Sequence, residues 1–267
     1  MDSHTLITGA SSGFGKALAL ELAERKRNLV LVALPSSGVM ELAQFIRLHY
    51  GVQVEGLEYD LSLTGNCEAL YESVKKKGVL VDCLINNAGV LSEGLFETLN
   101  HNYLVNQINV NVTAPTLLCR LFLEDLKMTP NASILNVCSM ASFFCLPKKQ
   151  VYGGTKSYLM SFSRSLSKEL KPYNILVSVV CPGGLNTTTR LCVQNLKLGW
   201  ISRSTILNPE VAAGITLDRF FKRHTIIVPG KLNKALRFLD SILPLWFKNK
   251  LINRAMENLM ATPNIFA

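Results

Sequence analysis

The chain has 267 residues, 48% of them hydrophobic and 18% charged, and a formal net charge of +9. This length suits one large α/β domain with a substantial core, and the composition excludes a disordered or fibrous chain. The basic residues are mostly scattered, apart from Lys75-Lys76-Lys77 and those of the last forty positions. That distribution argues against nucleic acid and suits an anionic cofactor or an acidic membrane surface about equally.

Seven cysteines show no metal-like spacing, and Cys83, Cys138 and Cys181 lie in apolar runs where buried free thiols are expected. A reducing compartment follows. His4, His49, His101 and His224 are scattered, so no metal site is expected. No uninterrupted apolar run reaches the ~18 residues of a membrane span. Met1 to His4 leads straight into a strand rather than a signal peptide, and the expected location is cytoplasmic.

In chain order, Thr5-Leu6-Ile7 predicts a short strand. It runs into Thr8-Gly9-Ala10-Ser11-Ser12-Gly13-Phe14-Gly15, and helical periodicity continues from Lys16 to Lys26. A glycine loop between strand and helix is the context of dinucleotide binding. Gly9 can turn tightly, Gly13 lets backbone approach a pyrophosphate, and Gly15 lets helix pack on strand. The helix N-terminus then faces the phosphates, flanked by Ser11, Ser12 and Phe14.

Asn28 to Ala33 predicts the second strand, whose end meets the adenosine ribose. Leu34-Pro35-Ser36-Ser37 follows, with no acid to take the 2′-hydroxyl. Ser36 and Ser37 could donate to a 2′-phosphate, so NADP is expected over NAD; an ordinary loop and helix cap suits the same two serines. Met40 to His49 is helical, Val52 to Leu57 is a third strand followed by Asp60-Leu61, and Leu80 to Ile85 is a fourth ending in Asn86-Asn87-Ala88-Gly89.

Asn102 to Met128 reads as a long helical region that contains Asn109 and Asn111. An asparagine there is locally unfavourable, so a polar task is expected of one of them. The apolar run Ile134 to Cys138 predicts a buried parallel strand leading into Ser139. Tyr152 and Lys156, four residues apart, open the next helix and share one of its faces. A neighbouring ammonium favours the phenolate and is expected to lower the pKa of Tyr152. Ser139 could hold a substrate oxygen that Tyr152 protonates; Ser142 is the alternative serine.

Together the glycine loop, the Asn-Asn-Ala-Gly and the Ser…Tyr-x-x-x-Lys pattern resemble the short-chain dehydrogenase/reductase family, over about Thr5 to Pro229. The resemblance implies a doubly wound Rossmann-type α/β fold with about seven mostly parallel strands and helices on both faces. It implies hydride transfer between NAD(P) and a carbonyl or alcohol, with Asn111, Ser139, Tyr152 and Lys156 as the catalytic set and Asn109 as the rival of Asn111. In the family, such an asparagine holds a proton-relay water, and the lysine also binds the nicotinamide ribose. By the same likeness Asp60, with Leu61, meets the adenine, although a cap for the segment from Thr64 would also explain that acid. Asn87, Ala88 and Gly89 line the cofactor, and Pro182, Gly183, Leu185 and Thr187 meet its nicotinamide end. A homodimer or homotetramer built on the helices 102–128 and 152–171 is expected, with Leu117, Leu121, Phe122, Leu159, Phe162 and Leu166 as apolar positions. A cofactor-binding sensor or scaffold without turnover is the alternative function.

Ile175 to Cys181 and Thr225 to Val228 predict two more strands, and Asn208-Pro209-Glu210 starts a helix. Asn186 to Leu207 lacks periodicity and reads as a mobile substrate lid. The C-terminal extension after Gly230 has apolar residues at helical spacing, an elbow at Leu243-Pro244-Leu245-Trp246-Phe247, and flanking Lys231, Lys234, Arg237, Lys248, Lys250 and Arg254. Packing against the domain or a second subunit, or a peripheral membrane contact, would cover it. The apolar lid and tail point to a hydrophobic ketone.

Overall fold

The computed structural model describes residues 3–91, 94–146, 148–196 and 203–244, together with Trp246, Lys248, Lys250 and Asn253. Its centre is a seven-stranded sheet: β1 (Ser3–Thr8), β2 (Asn28–Ala33), β3 (Val54–Glu58), β4 (Leu80–Asn86), β5 (Ser133–Val137), β6 (Leu176–Val180) and β7 (Ile226–Ile227). The order is β3-β2-β1-β4-β5-β6-β7, and every pairing is parallel. Parallel strands buried on both faces need continuous apolar runs, which is why Leu176–Val180 is buried throughout.

Side chains alternate between two cores. Leu29, Leu31 and Ala33 of β2 join α1 (Gly13–Glu24), α2 (Val39–Tyr50) and α9 (Pro209–Phe221) on one face. Val30 and Val32 join α3 (Gly65–Lys76), α5 (Ala114–Leu121) and α6 (Leu123–Lys127) on the other. The sheet reverses its order between β1 and β4, and the crevice at the strands' C-terminal ends there is where such folds take ligands.

The region from Asn102 to Met128 is less regular than its periodicity suggests. It divides into α4 (His101–Ile108), a π-helical segment Asn109–Thr113, α5 and α6. Phe122 and Leu159 are fully buried in the domain, while Leu117, Leu121, Phe162 and Leu166 pack at its margin. The stretch expected to be an aperiodic lid contains a helix, α8 (Thr189–Leu196). α7 (Gln150–Glu169) follows β5, and α10 (Lys231–Ile242) begins the C-terminal extension. α10 ends before Pro244, and most of the expected second tail helix lies outside the described residues.

Candidate active site

The glycine loop is shaped by what surrounds it. Gly9 has φ +64, and a Cβ on it would lie 2.8 Å from Ala88 Cα. At Gly15 a Cβ would lie 2.1 Å from the Gly9 carbonyl oxygen and 2.4 Å from Asn87 Nδ2. Asn87 braces this approach: its Nδ2 donates to the carbonyls of Thr8 (2.9 Å) and Gly9 (3.0 Å). Thr8 Oγ1 in turn accepts from the amides of Asn87 and Ala88. Ser12 starts α1 without a side-chain cap, and no acid stands in the first turn. The first amides of that helix are therefore left to water or to a ligand in front of them.

A groove of ≈ 640 Å³ runs past the loop, lined by Gly9, Ser11, Ser12, Gly13, Phe14 and Gly15, by Asp60 and Leu61, and by Asn87, Ala88, Gly89 and Thr187. Asp60 Oδ1 accepts the Ser62 amide (2.9 Å), so the carboxylate shapes its own loop while facing the groove. Ser36 stands outside the lining. Its φ is +56 and its amide donates to Glu58 Oε1 (2.8 Å). Ser37 lines the groove instead, and its Oγ is buried with no hydrogen-bond partner among the described residues.

Beside the groove lies the predicted catalytic set. Ser139, just past β5, shares a cavity wall with Tyr152, and its Oγ accepts the Ala141 amide (3.1 Å). Lys156 is 3% exposed, and its Nζ donates to the Val137 carbonyl (2.8 Å). Asn111 lies in the π-helical segment, a feature that often marks functional positions. Its Oδ1 takes the Val90 amide (2.8 Å), and its Nδ2 reaches Val90 O (2.9 Å) and Thr155 Oγ1 (3.1 Å). A Cβ on Gly89 would lie 3.3 Å from Lys156 Nζ and 3.4 Å from Asn111 Oδ1, so both groups converge on that glycine. The rival Asn109 points its amide to Ser62 O (3.0 Å), and Ser142 Oγ donates to Lys156 O (3.0 Å) as a brace of α7.

The electrostatics differ from the sequence expectation. Burial pushes Tyr152 above an ordinary phenol, and the Ser139 hydroxyl pulls it partly back. Burial pushes the Lys156 ammonium down. Lys156 Nζ stands 5.9 Å from the Tyr152 ring centroid and is turned to the Val137 carbonyl, so desolvation outweighs the pair's attraction. Without a further partner the phenol is held protonated, the form a proton donor needs.

Residues 3–195 match the family described as short chain dehydrogenase. This chain belongs to the short-chain dehydrogenase family. The NADP-dependent 3-hydroxy acid dehydrogenase of Schizosaccharomyces pombe is 33% identical over 239 residues, 87% of this chain and 92% of that protein. The 3-oxoacyl-(acyl-carrier-protein) reductase of Aquifex aeolicus is 29% identical over 217 residues, 80% of this chain and 88% of that one. Among solved structures, a short-chain dehydrogenase from Sphingobium yanoikuyae in complex with NADPH superposes with a TM-score of 0.76 at 26% identity, covering 99% of this chain and 98% of that one. The chain is accordingly an oxidoreductase of NAD or NADP.

The residues of this short-chain dehydrogenase fit such a cofactor. The loop is closed to any Cβ at Gly9 and Gly15, the N-terminus of α1 is uncapped, and the groove opens toward a second cavity of ≈ 550 Å³. Phe14, Asn87, Gly89, Val90 and Thr187 line both spaces. The second cavity holds Ser139, Tyr152 and Lys156 together with Pro182, Gly183 and Leu185. Its walls are mostly apolar, with Leu91, Met140, Phe144, Leu146, Leu191 and Leu236.

Several contributors escaped the sequence reading of this dehydrogenase. Thr155, three residues after Tyr152, anchors Asn111 across 44 positions of sequence. Asn136 Nδ2 donates to Ser163 Oγ (2.8 Å), fastening α7 to β5 two turns beyond Lys156. Asn195 of α8 and the buried Asn233 of α10 line the second cavity. Asn233 Nδ2 also donates to the carbonyls of Thr205 and Pro229, tying α10 to the lid. The signal for these residues lies only in their distant partners.

Proposed function

We propose that this short-chain dehydrogenase reduces a hydrophobic ketone with NADPH. The observation that carries the reading is the Ser139–Tyr152–Lys156 set at the edge of a mostly apolar cavity. The bound nicotinamide supplies the hydride. Ser139 and Tyr152 hydrogen-bond the carbonyl oxygen, and the Tyr152 hydroxyl gives it the proton, so that a ketone becomes a secondary alcohol. Lys156 binds the nicotinamide ribose and steadies the tyrosinate left behind. Asn111 supports the water that returns the proton. Asp60 and Leu61 receive the adenine, and Leu185 and Thr187 the carboxamide.

The preference for NADPH rests on the absence of an acid from Leu34 to Ser37 and on the unpartnered Ser37 hydroxyl in the groove. Glu58, which holds the Ser36 amide, opposes it with a negative charge nearby. Following the consumption of NADPH and NADH over ketones of rising chain length tests both points. Faster turnover of long-chain ketones and tighter NADPH binding are expected. NADPH binding with no consumption across the panel would leave a cofactor-binding protein without turnover, and tighter NADH binding would reverse the cofactor assignment.

The C-terminal extension is proposed as a flap that lies on anionic lipid, where such a substrate is dissolved. One side of α10 contributes Asn233 and Leu236 to the cavity. Phe238, Leu239 and Ile242, and Trp246 beyond it, are 65%, 47%, 60% and 68% exposed. Lys231, Lys234, Lys248 and Lys250 flank them, and each such cation near an anionic surface adds about 1 kcal/mol. Among the described residues no helix is long and apolar enough to cross a membrane, so the contact is peripheral. Co-sedimentation with vesicles containing phosphatidylserine, lost when residues after Gly230 are deleted, is the expected result; equal sedimentation with neutral vesicles or by the truncated protein would count against it. A homodimer or homotetramer is proposed through α4, α5 and α7, where Tyr103, Val105, Ile108 and Tyr158 are exposed.

A further inference from the structure

Cys138 and Cys181 stand one residue beyond the last paired positions of β5 and β6, Val137 and Val180. The Cys138 amide donates to Val180 O (2.8 Å), and the Cys181 amide donates to Ile227 O (2.8 Å), so the strands stay side by side here. Partners in a parallel register share a sheet face, which puts the two side chains together. Both residues are buried, 2% and 0% exposed, and belong to one packed cluster with Val179, Leu159 and Met160. Cys138 lines the substrate cavity beside Ser139 and Tyr152, whereas Cys181 stands behind it, outside the lining. Neither thiol has a part in the reduction described above.

Adjacent strands lie ~4.8 Å apart. That spacing falls within the roughly 4.4–6.8 Å that disulfides allow between Cα atoms, but their Cβ atoms must come to about 3.8 Å. A bond here would draw the strand ends together. Ser139 follows one cysteine and Pro182 the other, so the contraction would re-aim the Ser139 hydroxyl against Tyr152 and move the turn at the nicotinamide end. Burial raises the Cys181 thiol strongly, whereas the charges of Arg237 and Lys156 act to lower it. Because Cys138 lines the cavity and Cys181 does not, Cys138 is the sulfur that meets an oxidant first, and Cys181 the one that resolves it.

We propose that Cys138 and Cys181 form a modification site at which a hydroperoxide in the substrate cavity closes a disulfide and stops turnover. The Cys138 sulfur attacks the peroxide, the O–O bond breaks, a sulfenic acid forms and one water leaves. The Cys181 sulfur then displaces the sulfenic hydroxyl, and a second water leaves with the remaining proton. Overall two thiols lose two electrons and two protons, and hydrogen peroxide becomes two waters. The strain makes the bond readily reducible.

The test treats the full chain with hydrogen peroxide and maps cross-linked peptides by mass, a readout independent of the substrate. A Cys138–Cys181 cross-link, a loss of ketone reduction of about a hundredfold, and recovery with dithiothreitol are expected. Cys181→Ser should lose the recovery, because a lone Cys138 proceeds to sulfinic acid; Cys181→Ala serves should the serine fail to fold. Cys145→Ser, at an exposed thiol, should keep both cross-link and recovery. Full inactivation without the cross-link, or recovery undiminished in the Cys181 variants, would overturn the assignment.

Discussion

Tyr152→Phe is expected to lower kcat by about 10²- to 10⁴-fold, the range that a positioned general acid contributes. The change removes one oxygen and keeps the ring. Burial holds the Tyr152 hydroxyl protonated, and Ser139 stands beside it in the cavity wall. The two nearby serines are engaged otherwise: Ser142 Oγ donates to Lys156 O, and Ser139 Oγ accepts the Ala141 amide. The groove proposed for most of the cofactor is lined by the glycine loop, Asp60 and Leu61, so NADPH affinity should change little. Steady-state rates with parallel NADPH titration provide the check. A variant that keeps even half of the wild-type rate would remove Tyr152 from the proton-transfer step.

Gly15→Ala is expected to destabilise the protein by about 3 kcal/mol or more, the upper part of the range for overpacking. The added carbon would meet the Gly9 carbonyl at 2.1 Å and Asn87 Nδ2 at 2.4 Å. Neither can yield cheaply. The first is backbone in a loop already turned at φ +64, and the second holds β1 to the residues after β4 through two hydrogen bonds. The melting temperature should fall by roughly 6–12 °C for a chain of this size, and NADPH binding should weaken with it. Gly154→Ala is the internal contrast. It lies in the exposed interior of α7 with nothing within 4 Å of an added Cβ. Glycine there costs about 0.5–1 kcal/mol relative to alanine, so a slight stabilisation is expected. Calorimetry on both variants decides whether steric closure at Gly15, and not glycine loss as such, sets the loop.

The lysine of the set shows where local reasoning stopped. Four-residue spacing puts Lys156 and Tyr152 on one helix face, and from that alone the ammonium lowers the phenol. Burial of each group is a property of the assembled sheet and helix, and it reverses the direction for Tyr152 and depresses Lys156. The choice between Asn109 and Asn111 had the same character. Two positions apart on a helix face different ways, and only the packing of α7 against the π-helical segment decides which asparagine meets Val90 and Thr155. At Ser36 and Ser37, a left-handed backbone at Ser36 takes that residue out of the groove and leaves Ser37 in its lining. In the lid, α8 was hidden because eight residues are too few for a helical repeat to stand out in the sequence.

What the sequence by itself determined was the arrangement of parts whose physics is local. Apolar runs of strand length, glycines at a strand–helix junction and a Tyr-x-x-x-Lys helix specify a parallel sheet and a dinucleotide loop, because each is a backbone requirement met by neighbouring residues. What only the tertiary structure decided was which polar groups meet. Thr155 with Asn111, Asn136 with Ser163, Asn233 with the lid, and Cys138 with Cys181 are pairs joined across 27 or more positions. Their spacing carries no periodic signal, and burial, which sets both their hydrogen bonding and their proton affinity, exists only once the strands and helices have closed around them.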